Sequence, residues 1–131
     1  MAVRRARVLV IDDDPYMGKL LARILEPEYE IVVATSALEA LDYVAMGDKF
    51  ELVLCDVMMP QMTGMAFYER IGAVAPELLK KVVFMTGGAF TPSAEAFLQQ
   101  GFIQIIEKPF PPLPELRAVI RKHIGRLGRY S

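Results

Sequence analysis

The sequence predicts a parallel α/β sandwich, with helices covering both faces of one sheet. Three observations carry that expectation. Short apolar, β-branched runs recur along the chain: VLVI from Val8, IVVA from Ile31, LVLC from Leu52, VVFM from Val82 and FIQII from Phe102. Their lack of clean alternation suits strands buried on both faces. Each run starts twenty or more residues after the one before it, which leaves room for a helix in every gap and excludes simple hairpins. The gaps themselves read as helical, and right-handed crossovers then make the sheet parallel.

Each helix has its own signals. After the first run, Asp14-Pro15 offers a cap with proline at N1, and Met17, Leu20, Leu21, Ile24 and Leu25 share one face. Ser36-Ala37-Leu38-Glu39 is a capping box, followed by Leu38, Leu41, Val44 and Ala45 as the expected inner stripe. A weaker third helix spans Gly64 to Ala75 with Phe67, Tyr68 and Ile71 inward, and Thr91-Pro92 opens the fourth. The last helix runs from Leu113 to Leu127, with Leu116, Val119, Ile120, Ile124 and Leu127 inward and Arg117, Arg121, Lys122 and Arg126 outward.

With 131 residues and 53% hydrophobic content, the chain suits one domain with a well-filled core. Its 15 basic and 16 acidic residues nearly cancel, so the basic excess that a nucleic-acid partner rewards is missing. The single cysteine, Cys55, excludes an internal disulfide, fits a reducing cytoplasm and reads as a small packed residue. The run after the basic start of MAVRRARVLVIDDDP is too short for a signal peptide, and no stretch is long enough to span a membrane. The expectation is a cytoplasmic protein without direct membrane contact.

In a parallel sheet ligands bind beyond the carboxyl ends of the strands. Asp12 and Asp13 follow the first run, Asp56 the third, Thr86 the fourth and Lys108 the fifth. Three close carboxylates repel one another, each pair by about 4 kcal/mol at roughly 4 Å and an effective dielectric near 20. A bridging cation relieves this, and oxygen ligands with several waters favour Mg²⁺ over Ca²⁺. A carboxylate, a hard metal, an ammonium and a hydroxyl together describe phosphoryl transfer, with an acyl phosphate formed on the carboxylate. Asp56 is the best nucleophile because it stands alone at a strand tip, whereas Asp14 is expected to cap the first helix.

The motifs VLVIDDDP, LVLCDVMMPQMTG, VVFMTGG and IIEKPF resemble, in order, those of two-component response-regulator receiver domains. The resemblance covers nearly the whole chain and implies a flavodoxin-like (βα)5 three-layer sandwich with strand order 2-1-3-4-5. It implies that Asp56 accepts phosphate from a phosphohistidine, that Thr86 and Lys108 contact the phosphoryl group, and that Asp13, Asp56 and the Met58 carbonyl bind Mg²⁺, with Asp12 acting largely through water. The partner would be a histidine kinase or a histidine phosphotransfer domain. VVFMTGGAFTP followed by EKPF is similar to the C-terminal receivers of hybrid sensor histidine kinases. Since the chain stops soon after its last helix, at RLGRYS, residues 1–131 are expected to be a single receiver domain without an output domain. Such a domain promotes its own phosphorylation and dephosphorylation rather than acting as a separate enzyme.

Three positions depart from the family pattern. Ile105 stands where many members carry a tyrosine or phenylalanine switch ring, and Met58 and Gly88 stand where polar side chains often guide hydrolytic water. His123 lies in a basic helix far from the rim and is expected to be solvated. A dinucleotide enzyme would need a glycine-rich first turn, and a haloacid-dehalogenase-type phosphatase a second acid at position 58. The competing reading is a receiver-like interaction module that works without phosphorylation. The Lys108–Pro109 bond is expected to be cis, since the fifth strand must deliver its ammonium inward and then turn sharply.

Overall fold

The computed structural model describes residues 5–88 and 91–128, with side chains described as far as Gly125. Five strands, β1 (Arg7–Ile11), β2 (Glu30–Ala34), β3 (Leu52–Asp56), β4 (Val82–Thr86) and β5 (Gln104–Glu107), pair in parallel in the order β2-β1-β3-β4-β5. The helices α1 (Pro15–Leu25), α2 (Ala37–Ala45), α3 (Gly64–Val74), α4 (Pro92–Leu98) and α5 (Leu113–Gly128) fill the gaps. The order matches the expected one. After β2 the chain crosses back to the other side of β1, so a crevice opens between the carboxyl ends of β1 and β3.

Side chains alternate along each strand, so the sheet has two cores. Val8, Val10, Leu52, Leu54, Val83, Met85 and Ile106 pack with Leu21, Ile24 and Leu25 of α1 and with Leu116 and Ile120 of α5. Leu9, Ile11, Val53, Cys55, Val82 and Phe84 pack against α2, α3 and α4 on the other face. There Tyr68, Phe84 and Phe97 form an aromatic cluster with ring centroids 5.3 to 5.8 Å apart.

The caps form as their residues suggest. Asp14 accepts from the backbone N–H of Tyr16, Ser36 from Glu39, and Thr91 from Ala94. The reciprocal arm of the Ser36 box falls one residue early, because Glu39 reaches the N–H and hydroxyl of Thr35.

Several expectations need correction. The buried stripe of α2 is Ala37, Ala40 and Val44, while Leu38 is 50% exposed and Ala45 faces solvent. Small residues let α2 lie close to the sheet, which turns the larger leucine outward. β5 begins at Gln104 rather than Phe102, since the N–H of Ile103 closes a turn onto the Gln100 carbonyl and leaves Phe102 exposed. A short 3-10 helix (Pro76–Lys81) between α3 and β4 had no counterpart in the sequence reading. Arg117 and Arg121 do not simply face water: Arg117 donates to the Ile24 carbonyl at 3.3 Å, and Arg121 grips Glu28 with two bonds of 2.8 and 2.9 Å, tying α5 to the end of α1. The side chains of Arg126 and Leu127 lie outside the described residues.

Candidate functional site

The same alternation that builds the core aims three polar side chains together. Asp12 continues the parity of Val8 and Val10, Asp56 that of Leu52 and Leu54, and Lys108 that of Ile106. All three therefore leave the sheet on the α1/α5 side, at its carboxyl edge. Backbone bonds beyond the strands hold them: the N–H of Asp12 donates to Ala34, that of Val57 to Met85 and that of Lys108 to Thr86, at 3.1, 3.2 and 2.7 Å. The Lys108–Pro109 bond is cis.

One oxygen each from Asp12, Asp13 and Asp56 lies within 4.8 Å of the others. Asp12 is 1% exposed, whereas Asp13 is open to solvent. The Lys108 ammonium donates to Asp12 Oδ2 at 3.1 Å and stands 3.8 Å from Asp56 Oδ1. Asp12 Oδ1 also accepts from the N–H of Asp14, so its carboxylate is held at both oxygens. Asp14 turns away to cap α1.

Burial pushes the Asp56 carboxyl up to about 6; the Lys108 ammonium opposes this, Asp12 and Asp13 reinforce it, and the Met58 backbone N–H lowers it again. A carboxylate that is crowded and poorly hydrated, yet ionised above pH 6, gains by meeting a cation or an electrophile. The set offers hard oxygen donors without histidine or cysteine, so it fits a divalent ion of the Mg²⁺ type. Cys55, next in the strand, is fully buried; burial raises its thiol well above the usual range, with Asp56 and Asp12 adding to the effect, which leaves it unreactive.

Thr86 is 7% exposed and follows the parity of Phe84 toward the other face of the sheet. Its hydroxyl accepts from the N–H of Gly88, and its carbonyl receives the N–H of Lys108, so it links the β4 loop to the lysine. Ile105 is 37% exposed beside this loop.

The loop after Asp56 is tightly folded. Val57 and Met59 are buried, Met58 is 37% exposed, and Gln61 adopts φ +69°. The Gly64 N–H donates to the Val57 carbonyl at 2.8 Å, and Thr63 caps α3 through the N–H of Ala66. A Cβ at Gly64 would lie 2.5 Å from the Asp56 carbonyl oxygen and 3.1 Å from Val57 Cα. Only glycine lets α3 begin this close to the carboxylate-bearing residue. The sequence reading began the third helix at Gly64 without assigning the glycine this role; its place at the first helical position, after the capping Thr63, was the available signal.

Comparison with known proteins agrees with this geometry. The family described as the response regulator receiver domain matches residues 8–121. Among curated relatives, the transcriptional regulatory protein GlrR of Escherichia coli (strain K12) is 36% identical over 110 residues, covering 83% of this chain and 24% of GlrR. The response regulator Rre1 of Synechocystis sp. is 31% identical over 121 residues, covering 91% of this chain and 52% of Rre1. The chain thus spans a quarter to a half of the length of these relatives. A response regulator receiver domain protein (CheY-like) from Methanospirillum hungatei JF-1 superposes with a TM-score of 0.83 at 26% identity, covering 97% of this chain and 99% of that one. From Val8 to Arg121, with the sheet order, the acidic trio and the lysine in place, the chain belongs to the response regulator receiver domain family.

Proposed function

We propose that this chain accepts a phosphoryl group from a phosphohistidine onto Asp56 in a Mg²⁺-dependent step and changes conformation and partner binding in response. The observation that supports this best is the Asp56 carboxylate in the β1/β3 crevice, crowded by two carboxylates and faced by one ammonium. In the transfer, an Asp56 carboxylate oxygen forms the new O–P bond as the P–N bond to the donor imidazole breaks, and the imidazole keeps the electron pair. The Lys108 ammonium, held by Asp12, lies where a phosphoryl oxygen on Asp56 would meet it. Thr86 supplies a hydroxyl from the neighbouring strand tip. Asp13, Asp56 and the Met58 carbonyl would hold Mg²⁺, with Asp12 acting through water, and the ion would supply positive charge to the phosphoryl oxygens.

Receiver domains take their phosphate from histidine kinases, and the donor here would be such a kinase or a histidine phosphotransfer domain. The GG-A-F-T-P and EKPF segments support a place in a hybrid sensor kinase, with residues 1–131 as one receiver unit. A cytoplasmic location fits the single reduced cysteine, and no helix among the described residues is long and apolar enough to cross a membrane. The near-neutral charge supports a protein partner rather than nucleic acid. Mass spectrometry after incubation with acetyl phosphate, with and without Mg²⁺, tests the reading; no Mg²⁺-dependent mass gain would overturn it.

Two further outcomes are expected. An apolar groove of about 400 Å³ opens beside Lys108 between α1 and the segment after β5, lined by Met17, Leu20, Ile24, Phe110 and Leu113, and Tyr16, next to Met17 in α1, is 70% exposed. An aspartate at Tyr16 or Met17 should slow transfer from a phosphohistidine protein by about tenfold, the effect of about 1.4 kcal/mol at an interface. Labelling by acetyl phosphate separates this from misfolding: an equal loss with both donors would count against the docking surface. Met58→Asn should speed loss of the acyl phosphate by about two- to tenfold, the worth of one hydrogen bond orienting the attacking water. An unchanged or slower loss, followed by intact-mass measurement over time, would refute that role.

A further inference from the structure

The two edges of the sheet are unlike. At one edge β5 carries Gln104 and Glu107 at its ends and runs into Lys108-Pro109, the charge and proline that ordinarily protect an edge strand. At the other edge β2 has Ile31, Val32 and Val33 in its middle, all half-buried, and its one charge is Glu30 at the start. The Glu30 N–H donates to the Ala6 carbonyl, and the Ala34 carbonyl accepts from the N–H of Asp12, so alternate residues of β2 turn their backbone toward β1. Ile31 and Val33 therefore direct their N–H and C=O groups outward, away from the sheet.

α1 lies directly over this edge, since a Cβ on Gly18 would come within 2.6 Å of Val33 Cγ1. A groove of about 920 Å³ runs between the helix and the strand, and its charged lining is Arg5, Lys19, Arg23, Glu26 and Glu30. Two of these are committed: Arg5 donates to the Glu26 carbonyl at 2.8 Å, and Glu30 stands 3.5 Å from Arg7. Lys19, Arg23 and the Glu26 carboxylate are exposed and form no ion pair among the described residues. Lys19 and Glu26 are seven residues apart and so fall within about 20° of each other around the helix. Ala22 sits midway along this line on its sheet side, and Arg23 on its solvent side.

A free cation and a free carboxylate on one line, with a small residue between them, complement themselves when the line is turned about a two-fold axis. We propose that this edge is the interface with a second copy of the chain. The two β2 edges pair antiparallel through the outward groups of Ile31 and Val33, and the two α1 helices lie antiparallel with Ala22 near the axis. Lys19 of each copy then meets Glu26 of the other, and Arg23 stays on the solvent side of the seam. The element rises agree with a single axis: from Gly18 over Val33, about 1.5 Å per helical residue and about 3.3 Å per strand residue bring Ile31 level with Ala22, the midpoint between Lys19 and Glu26. The side of α1 that borders the groove beside Lys108 stays free. The two β1/β3 crevices come to opposite edges of the joined sheet, so the pairing neither requires phosphorylation nor obstructs it.

Sedimentation velocity of the full chain at low ionic strength, over about 1 to 500 μM, reads the association, which is expected in the micromolar range. Lys19→Glu alone and Glu26→Lys alone should each weaken it at least about tenfold, because each turns two attractive pairs into two repulsive ones. The exchange Lys19→Glu/Glu26→Lys restores both pairs and should recover the wild-type dissociation constant to within about threefold. An equimolar mixture of the two single variants should form the heterodimer although neither associates alone, which also shows that each is folded. Amide hydrogen exchange of the wild type at Ile31 and Val33 should slow as concentration rises. A wild-type chain that stays monomeric throughout, or a dimer indifferent to both single reversals, overturns the proposal. It is equally overturned if neither the double exchange nor the mixture restores association, or if exchange at Ile31 and Val33 ignores concentration while the chain dimerises.

Discussion

Asp56→Asn is expected to gain no phosphoryl mass from any donor and, without Mg²⁺ at neutral pH, to melt at a higher temperature than the wild type. The loss follows from chemistry: an amide oxygen is no nucleophile toward phosphorus at neutral pH, and among the described residues Asp56 is the one carboxylate at the tip of β3, 3.8 Å from the Lys108 ammonium. The gain in stability follows from linkage. Burial raises the Asp56 carboxyl from 3.8 to about 6, with Lys108 opposing and Asp12 and Asp13 reinforcing. A carboxyl that holds its proton more tightly in the fold than in the unfolded chain destabilises the fold when ionised. That cost is full above about pH 6 and disappears as the pH falls toward the unfolded value near 4. Discounted for solvent screening of a carboxyl that is not fully buried, it amounts to about 1–2 kcal/mol. For a domain of this size the melting temperature should rise by about 3–10 °C. Lowering the pH to about 5 should narrow the difference, and Mg²⁺ should raise the wild type more than the variant by binding only where the carboxylate remains. Calorimetry across pH, paired with intact-mass measurement, checks both halves. A variant that still labels, or that melts lower under every condition, overturns the assignment.

The parts of this fold that sequence reading reached are those where polarity and period carry the information. Apolar runs located the strands, and an aspartate or lysine at a strand end must follow the parity of the residues before it. The strand ends alone grouped Asp12, Asp13, Asp56, Thr86 and Lys108 on one rim before any distance was known, and the parity then explains why Asp12, Asp56 and Lys108 share one face. What escaped depends on how closely two elements approach. Hydrophobicity favours Leu38 over Ala40 as a core residue of α2, but the short distance from helix to sheet selects the alanines. Gly64 has the same origin, because nothing local shows that a Cβ there would meet the Asp56 carbonyl. Arg117 and Arg121 read as solvated charges until α1 is seen to end beside α5, since their partners Ile24 and Glu28 lie some ninety residues away in sequence. The methionines after Asp56 are another case: a sequence run such as VMMPQM cannot say which methionine fills the core, and the loop buries Met59 while leaving Met58 out.

Lys108→Ala should separate phosphorylation from its consequence. In the unphosphorylated protein the ammonium is shared between Asp12 at 3.1 Å and Asp56 at 3.8 Å, and it is the only cation within salt-bridge range of these carboxylates among the described residues. Removing it leaves Asp12 buried without its partner, so the variant should lose about 1–3 kcal/mol of stability without Mg²⁺, below the full penalty for a buried pair because the lysine is partly exposed. The same substitution removes a competitor for the metal's carboxylates, so Mg²⁺ should bind more tightly and recover more stability than in the wild type. Acetyl phosphate should still label Asp56, since the nucleophile and the metal ligands remain. The conformational response should be largely lost. Once Asp56 carries a phosphoryl group, the ammonium has new oxygens to follow, and its backbone N–H bond to the Thr86 carbonyl couples that movement to the loop at Gly88. Amide hydrogen exchange at residues 86–88, compared before and after labelling, reports the response directly. A variant that labels normally and shows the wild-type change in exchange would remove Lys108 from the switch, and one that cannot be labelled at all would place it in the transfer step instead.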